Sequence, residues 1–128
     1  MQEENNFLER NTKYFTEDER KKLTRKEFNK LKRIIKNYDD SHIKLITPVM
    51  QMLAHLSVVH EELKCIIERD GYFEEYLNGR NQSGTKKTVA SDLMIQTQKN
   101  YSMFYKQYKE FVEMYKPKDD TLIGENSI

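Results

Sequence analysis

The stretch that most constrains the fold runs from Thr88 to Lys116. There Tyr101, Phe104, Tyr108, Phe111 and Tyr115 follow one another at alternating steps of three and four. That spacing is one face of an α-helix. At about 1.5 Å per residue the segment predicts a helix on the order of 40 Å long. Thr88 or Ser91 supplies its N-cap, Pro117 stops it, and Lys116 sits in the last turn, where the helix dipole favours a cation. A helix with so polar a back cannot bury an aromatic seam alone. It needs a partner from its own chain or from another copy, and the five aromatics are expected at an oligomer interface.

The rest of the chain argues the same way. It has 128 residues, 37% hydrophobic and 34% charged, with a mean hydropathy of −0.91. A globular domain typically has about 45–50% apolar residues, so one elongated domain with a thin core is expected, completed by self-association. The fold class read from the pattern is all-α: three main helices, with a long central and a long C-terminal amphipathic helix, completed by oligomerisation. Residues 1–15 read as a flexible arm, 16–117 as the helical domain and 118–128 as a flexible tail. Phe7, Leu8, Tyr14 and Phe15 are the arm's apolar residues.

Two capping boxes compete to start the first helix, Thr16 with Glu19 and Thr24 with Glu27. Its apolar stripe is Phe28, Leu31, Ile34, Ile35 and Tyr38, joined by Leu23 if the earlier box is used. The Asp39-Asp40-Ser41 cluster then suits a turn and the next N-cap. The second helix uses Ile43, Ile46, Met50, Leu53, Leu56, His60, Leu63 and Ile67. Pro48 lies inside it, so either Thr47 caps a helix that begins at Pro48, or a single helix from about Ser41 to Arg69 kinks at the proline with its stripe in phase. Gly71 ends it as a left-handed cap. Tyr72, Phe73, Tyr76 and Leu77 have the spacing of a further helical turn, with a hairpin as the minor reading. NGRNQSGTKK (78–87) follows as a polar loop.

The chemistry-bearing patterns exclude more than they assign. The net charge of +1 hides an asymmetry. Arg20, Lys21, Lys22, Arg25, Lys26, Lys30, Lys32, Arg33 and Lys36 face a single acid, Glu27, in that window. Lys22, Arg25, Lys26, Lys32, Arg33 and Lys36 are the candidate nucleic-acid contacts, supplemented by Arg80, Lys86 and Lys87, because a basic face is the footprint of a phosphate-backbone binder. Glu61, Glu62, Glu68, Asp70, Glu74 and Glu75 read as an acidic face or a solvated surface. Cys65 is the only cysteine; it reads as a small core residue and fits a reducing compartment. His55 and His60 are five apart, off one helical face, so no metal site is expected. The glycines of 78–87 lack phosphate-loop spacing, and no Ser-His-Asp or Cys-His set has local support. No catalytic residue or cofactor is expected. The start MQEENNFLERN is no signal peptide, and the apolar window 43–59 reads as too interrupted to span a bilayer. A soluble intracellular protein is expected.

The order of these features resembles a phage terminase small subunit, of the compact branch found in long-tailed phages. The resemblance covers about Leu31 to Lys118. Its most specific part is the loop-to-helix junction, with Tyr76, Asn78, Gly79, Lys86 and Lys87. Thr88-Val89 stands where many relatives have Asn-Pro, and Met-Tyr-Lys-Pro (114–117) where they often have Gly-Leu-x-x-Pro. The resemblance implies a non-enzymatic subunit of viral genome packaging in the host cytoplasm. Such a bacteriophage protein forms a ring-shaped homo-oligomer, binds double-stranded viral DNA and presents it to the terminase large subunit, the ATPase and nuclease. Contact with that partner is expected from the tail after Lys118. A helical protein–protein adaptor and a small DNA-binding regulator are the alternatives.

Overall fold

The computed structural model describes residues 13–77 and 83–117. Three helices form the body: α1 (Glu17–Ile34), α2 (Asp40–Asp70) and α3 (Val89–Met114). An antiparallel hairpin, β1 (Phe73–Leu77) with β2 (Ser83–Lys87), lies between α2 and α3. The expected architecture of three helices holds. Residues 1–12 of the expected arm, the loop tip with Arg80 and the tail from Lys118 lie outside the described residues.

Local chemistry explains where the helices begin. Thr16, the earlier of the two candidates, forms the capping box. Its hydroxyl accepts from the Glu19 N–H and Glu19 accepts from the Thr16 N–H, both at 3.1 Å. Thr24 is instead interior and donates to the Arg20 carbonyl at 2.7 Å. α2 is one continuous helix with Pro48 inside it. The proline leaves the Lys44 carbonyl without its donor. Both residues are on the exposed side, where water can replace it. Thr88 caps α3, accepting from the Ser91 N–H.

Chain direction follows from contacts far apart in sequence. Arg20, early in α1, meets Glu62, late in α2. Tyr108, late in α3, meets Leu31, late in α1. The body is therefore up-down-up, with α2 shared between its neighbours. That sharing explains why α2 is apolar around so much of its circumference. By length and composition it is a helix that could cross a membrane, although the sequence pattern reads as too interrupted. Ten of its residues are buried, among them Ile46, Met50, Leu53, Leu63, Ile66 and Ile67.

The core falls into two clusters. One joins Ile35, Ile46, Met50, Leu53, Tyr108 and Phe111; the other joins Leu63, Ile66, Ile67 and Ala90. The aromatic seam of α3 thus packs within its own chain. Tyr108 and Phe111 are 3% and 8% exposed, while Tyr101, Phe104 and Tyr115 are half-buried against the same cluster. Of the five residues expected at an oligomer interface, Tyr108 and Phe111 thus have almost no surface left for a second copy, while Tyr101, Phe104 and Tyr115 keep part of theirs. Two hydroxyls seal this end reciprocally. The Ile35 N–H turns to the Lys32 carbonyl, and Tyr108 donates to the Leu31 carbonyl at 2.8 Å. Tyr38, following α1, donates to the Val112 carbonyl in the last turn of α3 at 2.7 Å. Each tyrosine hydroxyl satisfies a carbonyl in the last turn of a helix, Leu31 of α1 or Val112 of α3.

One correction concerns the helical turn expected over 72–77: Phe73–Leu77 is a strand, as in the minor hairpin reading, and Tyr72 is a bend ahead of it. Gly71 takes φ 89° and ψ 167°, a region open essentially to glycine. This departs from the expected left-handed cap in ψ and sends the chain out extended. A stretch this short cannot sustain a helix alone, whereas β2 offers it a ladder. Glu74 is paired with Lys86 and Phe73 with Lys87. The root is tied by the Thr88 N–H and the Ser91 hydroxyl, both donating to the Tyr72 carbonyl, at 2.9 and 2.8 Å.

Candidate nucleic-acid interface

α1 has no fully buried residue. Its half-buried residues, Arg20, Leu23, Thr24, Glu27, Phe28 and Leu31, recur at steps of three and four and face the rest of the body. The opposite side is left to Lys22, Arg25, Lys26, Asn29, Lys32, Arg33 and, just past the helix end, Lys36. All seven are exposed. At 100° per residue they occupy an arc of roughly 120°, and at about 1.5 Å per residue Lys22 and Arg33 stand about 17 Å apart. The arc holds six cations around one amide. No ion pair is formed by any of the six among the described residues. Lys21 and Lys30, at the arc's margins, are engaged with Glu17 and Glu27 at 3.4 and 3.1 Å.

With Phe28 and Leu31 only half-buried against the core, α1 is held by polar contacts as well. Glu62 is 5% exposed and collects donors from two segments. The Arg20 guanidinium binds it through Nε and Nη2, at 3.0 and 2.8 Å. The backbone N–H groups of Tyr14 and Phe15 both donate to its Oε2 at 2.6 Å. Burial alone would raise the pKa of Glu62; Arg20 and the two backbone donors outweigh it, and the carboxyl sits below its usual range. Arg69 adds a cation–π contact, 5.7 Å from the Tyr14 ring centroid. Tyr14 and Phe15, expected in the arm, are thereby tied to the body. Between α1 and α2 an open groove of about 420 Å³ remains, floored by Phe28 and Ala54 and rimmed by Arg25 and Lys21.

The other predicted contacts are not brought to this arc. Lys86 and Lys87 lie in β2, beyond the C-terminal end of α2. Because α1 and α2 run antiparallel, that is the end of the body opposite Lys36. Lys87 is exposed at the hairpin root, and Arg80 lies outside the described residues. Glu62, counted with the acidic surface, is instead the buried carboxylate that positions α1. Its signal was in the spacing: it stands four residues from both Val58 and Ile66, which are 5% and 1% exposed.

Sites of other chemistry are sparse. Cys65 is half-buried, and desolvation, reinforced by Glu61 and Glu68, raises its pKa, which suits an inert thiol. His55 is exposed, and His60 meets Gln98 across the α2–α3 seam at 3.1 Å. Among the described residues no three His, Cys, Asp or Glu side chains converge as a metal site. Comparison of the chain with family models, with curated proteins and with solved structures returned no match.

Proposed function

We propose that this chain is a DNA-recognition subunit whose α1 arc grips the duplex phosphate backbone. In the fuller form of this reading it is the small subunit of a viral packaging terminase. It would self-associate and present viral DNA to the large ATPase and nuclease subunit, without catalysis of its own. The observation that carries the DNA reading is the row Lys22, Arg25, Lys26, Lys32, Arg33 and Lys36, exposed together and unpaired among the described residues. Solubility alone does not call for six cations in one arc of a chain whose net charge is +1. The packaging role is supported by the sequence resemblance.

Phosphate contacts confer affinity and salt dependence with little sequence readout. Six contacts give a log–log salt slope of about −5 on duplex DNA. The test is fluorescence anisotropy with labelled duplex across a salt series. A flat salt response at low ionic strength, or affinity unchanged in Lys32→Glu/Arg33→Glu, overturns the assignment of α1. The adaptor reading draws on exposed apolar residues of α2, Leu45 at 65% and Met52 at 40%. No duplex binding at any salt would favour it.

A further inference from the structure

The hairpin is the least supported part of the body. It has two strands of five residues and no third strand among the described residues. It is stitched to the helices at its root through Tyr72, Thr88 and Ser91. A lone two-stranded ribbon is marginally stable in water and gains independent stability from a further strand or a covering helix. Each outer edge of such a ribbon carries unpaired backbone N–H and C=O groups, a template for another strand. The two edges also differ in charge. β1 carries Glu74 and Glu75, while β2 carries Lys86 and Lys87. Near the root, Tyr72, Phe73 and Ile95 remain 58%, 60% and 40% exposed. With Met94 they line an open cleft of about 170 Å³.

We propose that copies of this chain associate edge to edge through the hairpin, β1 of one copy lying antiparallel to β2 of the next. Head-to-tail pairing sets the glutamates of one edge against the lysines of the neighbour. Opposite charges across a ladder stabilise it. The symmetric alternative, β1 against β1, would put like charges together. All hairpins then point the same way, and repetition of the contact closes a ring wherever the rotation allows. The occupant is a second copy because the two edges of one ribbon complement each other. The inference deepens the self-association part of the reading above and is independent of its DNA part.

The test is hydrogen exchange on the intact chain at low and high protein concentration, alongside native mass spectrometry. The expected result is an oligomer in which amides of 73–77 and 83–87 slow about tenfold or more as it forms. Glu74→Lys/Glu75→Lys should abolish the oligomer, and adding Lys86→Glu/Lys87→Glu should restore it, since the full swap keeps both the internal and the external pairing. An oligomer whose hairpin amides exchange at the monomer's rate overturns the inference and leaves self-association standing by another surface. A chain that stays monomeric at high concentration overturns both.

Discussion

α1 and α3 are both amphipathic, and both lie along α2, yet they are held by opposite means. α3 spends its seam: Tyr108 and Phe111 enter the core, and two tyrosine hydroxyls close its end against α1. α1 buries nothing completely and is fixed by a capping box, the Arg20–Glu62 pair and two backbone hydrogen bonds ahead of it. A helix fixed by burial has its surface chemistry dictated by the core. A helix fixed by directional polar contacts keeps its outer face free for charge. The difference leaves the cations of α1 exposed, which is what the proposed recognition role requires.

Four experiments probe that contrast, from the largest effect on stability to the smallest. Met50→Ala empties a fully enclosed position between the helices and should cost about 2–5 kcal/mol. The check is urea unfolding, with Leu23→Ala in half-buried α1 costing distinctly less. If the two costs were equal, α1 would be as much a core element as α2.

Glu62→Gln should cost about 1–3 kcal/mol by weakening the Arg20 pair and the two N–H contacts, with screening moderating the partly open Arg20 end. Its pH signature is distinctive. Because the folded-state pKa is lowered from 4.5, the carboxylate's contribution is complete above that value. It disappears as pH falls through the folded value. The variant should therefore lose less stability on acidification than the parent, as followed by circular dichroism.

Tyr108→Phe should cost about 1 kcal/mol through the lost hydrogen bond. Burial, with Tyr38 and Tyr105 adding to it, raises the Tyr108 pKa from 10.0 to about 12. Its contribution is therefore present below pH 10 and fades as pH rises toward 12. Alkaline unfolding of the variant should be shallower over that interval.

Lys32→Glu/Arg33→Glu should leave stability within about 0.5 kcal/mol for surface positions, apart from the small penalty of acids at a helix C-terminus. It should lower the duplex-binding salt slope by about two. Large destabilisation would mean that these side chains serve the fold.

The sequence disclosed what local rules govern. The Thr16 box, the Thr88 cap, the glycine exit at Gly71 and the seam from Tyr101 to Tyr115 are all short-range patterns, and each stands in the structure. Partners were not legible. The seam's spacing states that Tyr108 must be covered, yet Met50, which shares its cluster, and Leu31, whose carbonyl accepts its hydrogen bond, are far away along the chain. Glu62 reads as one acid among many because its donors, Arg20 and the Tyr14 and Phe15 amides, come from another segment. Residues 72–77 fit a helical period only because a strand's partner is invisible to a count of neighbours. The basic arc was legible for the opposite reason: exposed side chains on one helix need no partner to define them.

The Arg20–Glu62 pair joins positions 42 apart in the chain. During synthesis the segment around Arg20 leaves the ribosome long before the carboxylate that fixes it. The positively charged helix must therefore wait, unattached, until the middle of the protein has emerged and coiled. Premature release of a truncated product ending before Glu62 would yield a cationic peptide with no frame to aim it.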